Sequence, residues 1–225
     1  MKKILVLAVL AMIGISASAQ VRYSRTMAEK KSNTTWYLRA GAGFNNLVGD
    51  YVDEYEEDDI DFSTAVGYEL AFGFNRNFGK TNVYWGMELG LAGRGYNSKY
   101  EDRYDDTVEK TNVLAHNVKW VPFAIGYKYG ITDDLKLDAH LGAFLSYDFA
   151  YTVDTNDYEY EDGDYDLEEG ADAGLQVGIG VWYKRVNLDL TYQRGFAAAT
   201  DNSYHDEGNL KGYISTFMLR LGVSF

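Results

Sequence analysis

Four charged residues are the first candidates for chemistry, because each occupies a polar position within a run of alternating apolar and polar residues. Glu69 and Glu88 lie in neighbouring runs, and Arg39 and Arg220 lie in the first and the last run. Carboxylates that meet in a poorly solvated interior must share a proton or find cations. The four residues therefore predict a buried ion network, provided that the fold brings their segments together.

The segments that carry these residues have the period of β-strands. In the last one, Tyr213, Phe217, Leu219, Leu221 and Val223 alternate with small, polar or charged residues, and the chain ends on a Phe. Alternation of this kind predicts a strand with one apolar and one polar face. It occurs eight times, over residues 36–44, 66–74, 83–92, 121–129, 135–147, 174–181, 186–193 and 213–225.

The connections between these strands alternate in length. The links 75–82, 130–134 and 184–185 are short, whereas those at 45–62, 95–112, 150–170 and 197–211 are long. Short turns at one end and long loops at the other are typical of barrels that span an outer membrane. A soluble sandwich or lipocalin-like barrel is the alternative, but it would expose many bare glycines on its outer face. We therefore predict an all-β, eight-stranded antiparallel up-and-down transmembrane barrel over residues 34–225.

Aromatic residues gather at both ends of the predicted strands, as expected of rings at the two membrane interfaces. The set at the short-turn end is Trp36, Phe74, Trp85, Tyr127, Tyr129, Tyr183 and Phe225, and the set near the long loops is Phe44, Phe62, Tyr147, Phe149, Phe196 and Tyr213.

The start of the chain has the pattern of an export signal. Lys2 and Lys3 precede a short apolar run, and Ala17-Ser18-Ala19 supplies small residues for cleavage, which predicts a signal peptide over 1–19 and a periplasmic segment over 20–33. Removal of the two lysines takes the net charge from −13 to −15. A chain this acidic is not expected to bind nucleic acid.

The predicted lumen would hold the charged residues of the polar faces: Arg39, Glu69, Glu88, Lys128, Lys136, Asp138, His140, Asp189 and Arg220. A tight turn at 75–82 would place Glu69 opposite Glu88, and closure of the barrel would bring Arg39 beside Arg220. Arg39, Glu69, Glu88 and Arg220 then form either a structural plug or a proton or ion gate. Pro122 cannot donate to a ladder inside a strand, so we expect a β-bulge there, which would reset the faces before residue 121.

Two long loops are strongly acidic. Oxygen-rich clusters suit Ca²⁺ or Mg²⁺, although Asp162-Gly163-Asp164 lacks the spacing of an EF-hand loop. The alternative is a solvated fringe that repels aggregation. The possible divalent-cation ligands are Asp53, Glu56, Asp58, Asp59, Asp162, Asp164 and Asp166.

The eight Gly-rich strands and the closing Leu219-Arg220-Leu221-Gly222-Val223-Ser224-Phe225 resemble the outer-membrane β-barrel domain of porin-family proteins and the small OmpA/OmpX-type barrels. The resemblance implies a location in the cell outer membrane, contact with its lipids, and a terminal Phe225 that signals to the barrel-assembly machinery. It carries no catalytic motif and implies no cofactor.

The function expected from these features is a non-enzymatic barrel with a plugged polar lumen and acidic outer loops that contact cations, lipid or a partner. The first alternative is a narrow diffusion pore for small solutes or cations. The second is a lipid-modifying enzyme that uses His116 or His205, although no Gly-x-Ser-x-Gly or His-Glu-x-x-His motif is present.

Overall fold

A computed structural model describes residues 33–57, 60–101, 108–155, 170–202 and 210–225. The elements in these ranges are β1 (Thr34–Val48), α1 (Asp50–Glu57), β2 (Ile60–Ser63), β3 (Ala65–Asn77), β4 (Val83–Glu101), β5 (Val108–Gly130), β6 (Leu135–Thr155), β7 (Ala171–Tyr183), β8 (Val186–Gly195), β9 (Thr200–Asn202) and β10 (Leu210–Ser224). The predicted signal peptide and, except for Asn33, the predicted periplasmic segment lie outside the described residues. In the described ranges, no helix is long and apolar enough to cross a membrane.

Eight of the strands form a closed antiparallel ring in the order β1-β3-β4-β5-β6-β7-β8-β10. The ring closes because β10 pairs with β1 over twelve residue pairs, from Tyr37 opposite Ser224 to Val48 opposite Tyr213. Closure leaves no open edge along this seam. The short strand β2 pairs with β4, and β9 pairs with β10. The prediction of an eight-stranded up-and-down barrel is confirmed.

The barrel has its polar side chains inside and its apolar side chains outside. Ile179 and Leu188 on neighbouring strands are 63% and 51% exposed, while Asp189 and Arg220 are fully buried. A hydrocarbon environment accepts an apolar outer face and hides the backbone groups of a closed ladder, so this arrangement suits a bilayer rather than water. A barrel of eight strands has a narrow lumen, and the side chains that point into it include those of Asp189 and Arg220.

Three strands are longer than predicted at the end opposite the short turns. β4 continues to Glu101, β5 already begins at Val108, and β6 continues to Thr155. The two links expected at 95–112 and 150–170 therefore start later than predicted, and the first of them also ends earlier. Alternation is enforced only where one face meets lipid. Beyond the bilayer both faces can be polar, and the extensions of β4 and β5 lose strict alternation. The extension of β6 keeps it through Phe149, Tyr151 and Val153, so the predicted end of that strand was simply too early.

The link 45–62 is not a loop throughout, because it contains α1 and most of β2. The helix begins after Gly49, whose φ of +128° turns the chain out of β1. The Gly49 carbonyl accepts a hydrogen bond from the Val52 amide at 2.9 Å. Ring contacts of 6.0 Å from Tyr51 to Phe62 and 6.1 Å from Phe62 to Tyr96 then join α1 to β2 and β4.

The expected bulge at Pro122 is present and changes the faces of β5. The register with β6 shifts between Trp120 and Phe123. Val121, expected to face outward, is only 1% exposed, and Trp120 is 42% exposed. The extra residue moves the first half of β5 by one position, and Lys119 consequently points into the lumen.

The seam between β1 and β10 depends on Gly41. A Cβ atom at this position would overlap the Leu219 carbonyl oxygen and lie 2.8 Å from Cγ of Arg220. We expect Gly41→Ala to destabilise the barrel by about 1–3 kcal/mol, because the seam cannot open to make room. The measurement is the temperature at which unboiled mature protein loses its fast-migrating folded band on a gel.

Gly130→Ala is the matched control, since its nearest neighbour, the Thr132 carbonyl oxygen, lies 3.8 Å away. We expect this variant to migrate as the parent does at every temperature. Equal transition temperatures for the two variants would show that the seam tolerates a side chain at Gly41.

Candidate functional site

Arg220 is the centre of the charge network in the lumen. Its Nη1 donates to Oε1 of Glu69 at 2.7 Å and to Oε1 of Glu88 at 2.8 Å. Nη2 and Nε donate to Oδ1 of Asp189 at 2.7 and 2.9 Å, and Nη2 also reaches Thr191 Oγ1 at 3.0 Å. The guanidinium thus holds acidic residues from three strands, namely β3, β4 and β8.

The register of the sheet explains why Arg220 can reach these partners. Asp189 on β8 and Gly41 on β1 are its two cross-strand neighbours. An inward-facing acid on one side supplies charge, and a bare glycine on the other leaves space for the arginine stem. The side chain therefore crosses the lumen instead of lying along its own strand.

Arg39 forms the second cationic position. Its Nη1 donates to Oε2 of Glu88 at 3.2 Å, its Nε donates to Oδ1 of Asn187 at 3.0 Å, and its Nη2 lies 4.0 Å from Oδ2 of Asp189. The guanidinium also lies over the Tyr37 ring, 4.3 Å from the centroid. Such stacking suits the planar guanidinium and stabilises the cation where it is shielded from water.

Lys119 is the member of the network that the sequence analysis missed. Its Nζ forms an ion pair with Oε2 of Glu69, which also accepts from Nε2 of Gln193 at 3.2 Å. Simple alternation counted back from Phe123 assigns Lys119 to the lipid. The signal that could have placed it was Pro122, because the bulge at that residue reverses the faces of the preceding segment.

With Lys119 and Asp189 included, the network contains three cations and three carboxylates. Arg39, Lys119 and Arg220 balance Glu69, Glu88 and Asp189, and each of the six is at most 4% exposed. A buried charge without a partner is strongly destabilising, whereas a neutral and hydrogen-bonded group can be retained. The buried cations and carboxylates of the lumen thus compensate one another's charge.

Glu69 and Glu88 do not face each other as expected. Glu69 pairs with Ala92 and Glu88 with Gly73, so the two acids are four positions apart along the β3–β4 ladder. The hairpin turns at 78–82, about two residues later than a tight turn midway between the two acids would require. Arg220 bridges the distance, which means that the acids meet through a cation and not through a shared proton.

The remaining predicted lumen residues lie toward the short-turn end. Asp138 accepts hydrogen bonds from Tyr84 Oη at 2.8 Å and from Trp182 Nε1 at 3.0 Å. Lys128 lies over the same two rings, and Lys136 is exposed at the mouth. His140 Nε2 is 3.3 Å from Thr191 Oγ1 and 3.7 Å from Oδ2 of Asp189, and thus adjoins the network.

A second cluster, which the sequence analysis also missed, occupies the long-loop half of the lumen. Nη2 of Arg94 donates to Ser146 Oγ at 2.7 Å and to Oδ2 of Asp172 at 3.1 Å, and the guanidinium lies 5.2 Å from the Phe144 ring centroid. The expected strand ended at residue 92, two positions too early to include Arg94.

The candidate enzyme residues are not brought into a catalytic arrangement within the described ranges. His116 is half-buried on the outer face. Its Nδ1 is 2.8 Å from Tyr68 Oη and its Nε2 is 2.8 Å from Thr152 Oγ1, so both ring nitrogens are occupied in a bridge between strands. His205 lies outside the described residues.

Most of the possible cation ligands also lie outside the described residues, namely Asp58, Asp59, Asp162, Asp164 and Asp166. Asp53 is exposed on α1, and Glu56 belongs to the same helix. Across the ranges that the structure describes, no group of three or more His, Cys, Asp or Glu is arranged to hold a metal.

Phe225, the predicted assembly signal, lies on the outer surface at the short-turn end. It is 57% exposed, stacks on Phe72 with ring centroids 6.2 Å apart, and donates its amide to the Trp36 carbonyl oxygen at 3.1 Å. The terminal residue is therefore built into the closing seam and its aromatic surface.

Comparison with known proteins agrees with this geometry. The family model of the outer membrane protein beta-barrel domain matches residues 18–201. The chain belongs to this family. Membership confirms the resemblance found in the sequence and the location in the cell outer membrane. In barrels of this kind, short turns face the periplasm and long loops lie outside. No curated protein matches the chain.

Several solved structures of outer-membrane proteins are similar to the chain. A major outer membrane protein from Thermus thermophilus is 14% identical, with a TM-score of 0.50 over 85% of this chain and 99% of that one. Ail, the attachment invasion locus protein of Yersinia pestis, is 16% identical, with a TM-score of 0.41 over 85% and 99%. Neisserial surface protein A is 13% identical, with a TM-score of 0.39 over 84% and 97%. At these identities the likeness concerns the fold alone.

The central position of Arg220 generates a stability prediction. Arg220→Met should lower the free energy of unfolding by about 3–5 kcal/mol, since three buried carboxylates lose their shared cation. Glu88→Gln keeps the shape but weakens two arginine contacts, and about 1–3 kcal/mol is expected. Both losses of unfolding free energy are to be measured from the way the folded and unfolded gel bands in detergent change with urea concentration.

Lys99→Gln serves as the control, because it breaks a solvent-exposed ion pair with Glu101 and should leave the transition nearly unchanged. If Arg220→Met unfolded at the same urea concentration as Lys99→Gln, the network would contribute nothing to stability.

Charge balance predicts how two substitutions combine. Lys119→Met and Glu69→Gln should each destabilise the barrel, because each leaves a buried charge partly unpaired. The double variant removes one charge of each sign, and its loss should be smaller than the sum of the single losses by about 1–3 kcal/mol. Urea titration of the four proteins measures this coupling, and strict additivity would mean that the two groups do not interact.

Proposed function

We propose that the protein is a non-enzymatic closed barrel whose ion network plugs the lumen and whose acidic outer end contacts divalent cations and, through them, lipid phosphates or a partner. The observation that carries this proposal is the Arg220 node. A guanidinium that binds Glu69, Glu88 and Asp189 at 2.7–2.9 Å occupies the middle of the lumen. With the interior closed, the ends remain available for function.

The outer end offers a built surface for such contacts. The extended β4, β5 and β6 continue past their predicted ends, and α1 is joined to β2 and β4 through the Tyr51, Phe62 and Tyr96 rings. Asp50 and Asp53 lie in the first turn of α1, and no basic residue lies in its last turn. An acidic helix held on a rigid base supports binding of hard cations through carboxylate oxygens.

The narrow pore is the alternative that the lumen geometry favours less. A path for solutes would have to pass Arg220, Lys119 and Arg39, all of which are held by ion pairs. For an enzyme, the geometry offers still less support, because both nitrogens of His116 are engaged by Tyr68 and Thr152.

The plugged lumen predicts that the mature protein in a planar lipid bilayer gives no steady single-channel conductance. The ion pairs of Arg220 must break before ions can pass, and their low-dielectric surroundings make this costly. Current recording on folded protein, with a wide porin as the positive control, is the measurement. A stable open level in most insertions would establish the pore alternative instead.

The acidic outer end predicts uptake of Ca²⁺ in the millimolar range, measured by calorimetry on folded mature protein. Replacing Asp53, Asp58 and Asp59 with Asn should weaken this binding, because each change removes a charged oxygen ligand. Asp133→Asn with Asp134→Asn, at the periplasmic turn, is the control and should bind Ca²⁺ as the parent does. Absence of any Ca²⁺ heat from the parent would remove the cation role.

A further inference from the structure

A polar notch lies at the periplasmic mouth of the barrel, where the β3–β4 turn adjoins the β5–β6 hairpin. The cavity measures about 220 Å³ and is lined by Asn77, Asn82, Tyr127, Lys128, Tyr129 and Lys136, together with a glycine backbone. This space is distinct from the central network and lies at the end of the molecule opposite the acidic loops.

Two lysines give the notch its charge. Lys128 is held in place, with its Nζ 4.3 Å from the Trp182 ring centroid and 4.8 Å from that of Tyr84. Lys136 is exposed, and it is the flexible cation that can close on a ligand. Asn77 and Asn82 add amide groups that can donate hydrogen bonds.

The acids near the notch are not among the residues that line it. Asp138, the cross-strand neighbour of Lys128, accepts from both Tyr84 and Trp182. Asp134 lies 3.8 Å from Lys184, and Asp133 lines an adjoining cleft that shares Lys136. The notch itself therefore presents cations and amides, which together recognise an oxyanion such as phosphate.

The position of the notch indicates where the phosphate comes from. Tyr127 and Tyr129 point outward from the barrel and are 47% and 58% exposed, as expected of rings at a membrane interface. Both residues also line the notch, which therefore adjoins the lipid-facing surface. Phe78 and Ile131, exposed at the two adjacent turns, provide further apolar contact at the same level.

We propose that the notch of Lys128, Lys136, Asn77 and Asn82 binds the headgroup phosphate of an anionic phospholipid in the periplasmic leaflet. Charge complementarity between this mouth and the lipid surface supports the assignment. The proposal concerns the periplasmic end and is independent of cation binding by the outer loops.

The test is native mass spectrometry of folded mature protein in detergent with added phosphatidylglycerol or phosphatidylcholine of matched chains. The parent should retain phosphatidylglycerol in preference to phosphatidylcholine. Lys136→Gln should lower the phosphatidylglycerol affinity roughly five-fold, as expected for one lysine near an anionic surface. Asn82→Asp, which adds a negative charge to the notch, should lower it at least as much.

Lys80→Gln is the matched control, since Lys80 lies on the neighbouring turn and does not line the notch; it should bind as the parent does. Equal losses for Lys80→Gln and Lys136→Gln would overturn the site in favour of diffuse rim charge. Equal retention of the two lipids would also overturn it. Saturable binding of inorganic phosphate without any lipid preference would assign the notch to a free anion and reject the lipid.

Discussion

The structure depends on how a narrow barrel accommodates charge in an interior that water cannot fill. Arg220 is fully buried, and such a cation is retained only when its surroundings supply negative charge and hydrogen-bond acceptors on all sides. Those acceptors come from β3, β4 and β8, so the guanidinium links β10 and its neighbour β8 to β3 and β4, with which neither of them is paired. The backbone hydrogen bonds between strands determine which strands pair, and the ion network around Arg220 determines how side chains pack inside the ring.

The same constraint divides the molecule into three levels. The middle is neutral and occupied by paired charges, the outer end is acidic, and the periplasmic mouth carries lysines. Asp53 on α1 is exposed, and water and counter-ions screen its charge.

The sequence predicts those parts of the structure in which contact with lipid imposes an alternation of apolar and polar residues. Alternation over segments such as 174–181 identified the ring of eight strands, and it placed Arg39, Glu69, Glu88 and Arg220 inside. It failed where the pattern lapses. The outer ends of β4 and β5 lack strict alternation, and the distance between Glu69 and Glu88 depends on a turn whose length alternation does not encode.

The bulge at Pro122 determines which side chains of β5 face outward. Side chains along a strand alternate between the two faces of the sheet, and the extra residue at the bulge reverses this assignment once along β5. Upstream of it, Lys119 is read as interior and Trp120 as exterior; without the shift both would be reversed. A one-residue deletion here would remove the reversal. It would turn the Lys119 ammonium group toward the lipid and the Trp120 indole into the narrow lumen. The bulge at the single proline of the chain therefore allows both halves of β5 to turn their apolar side chains toward the same membrane.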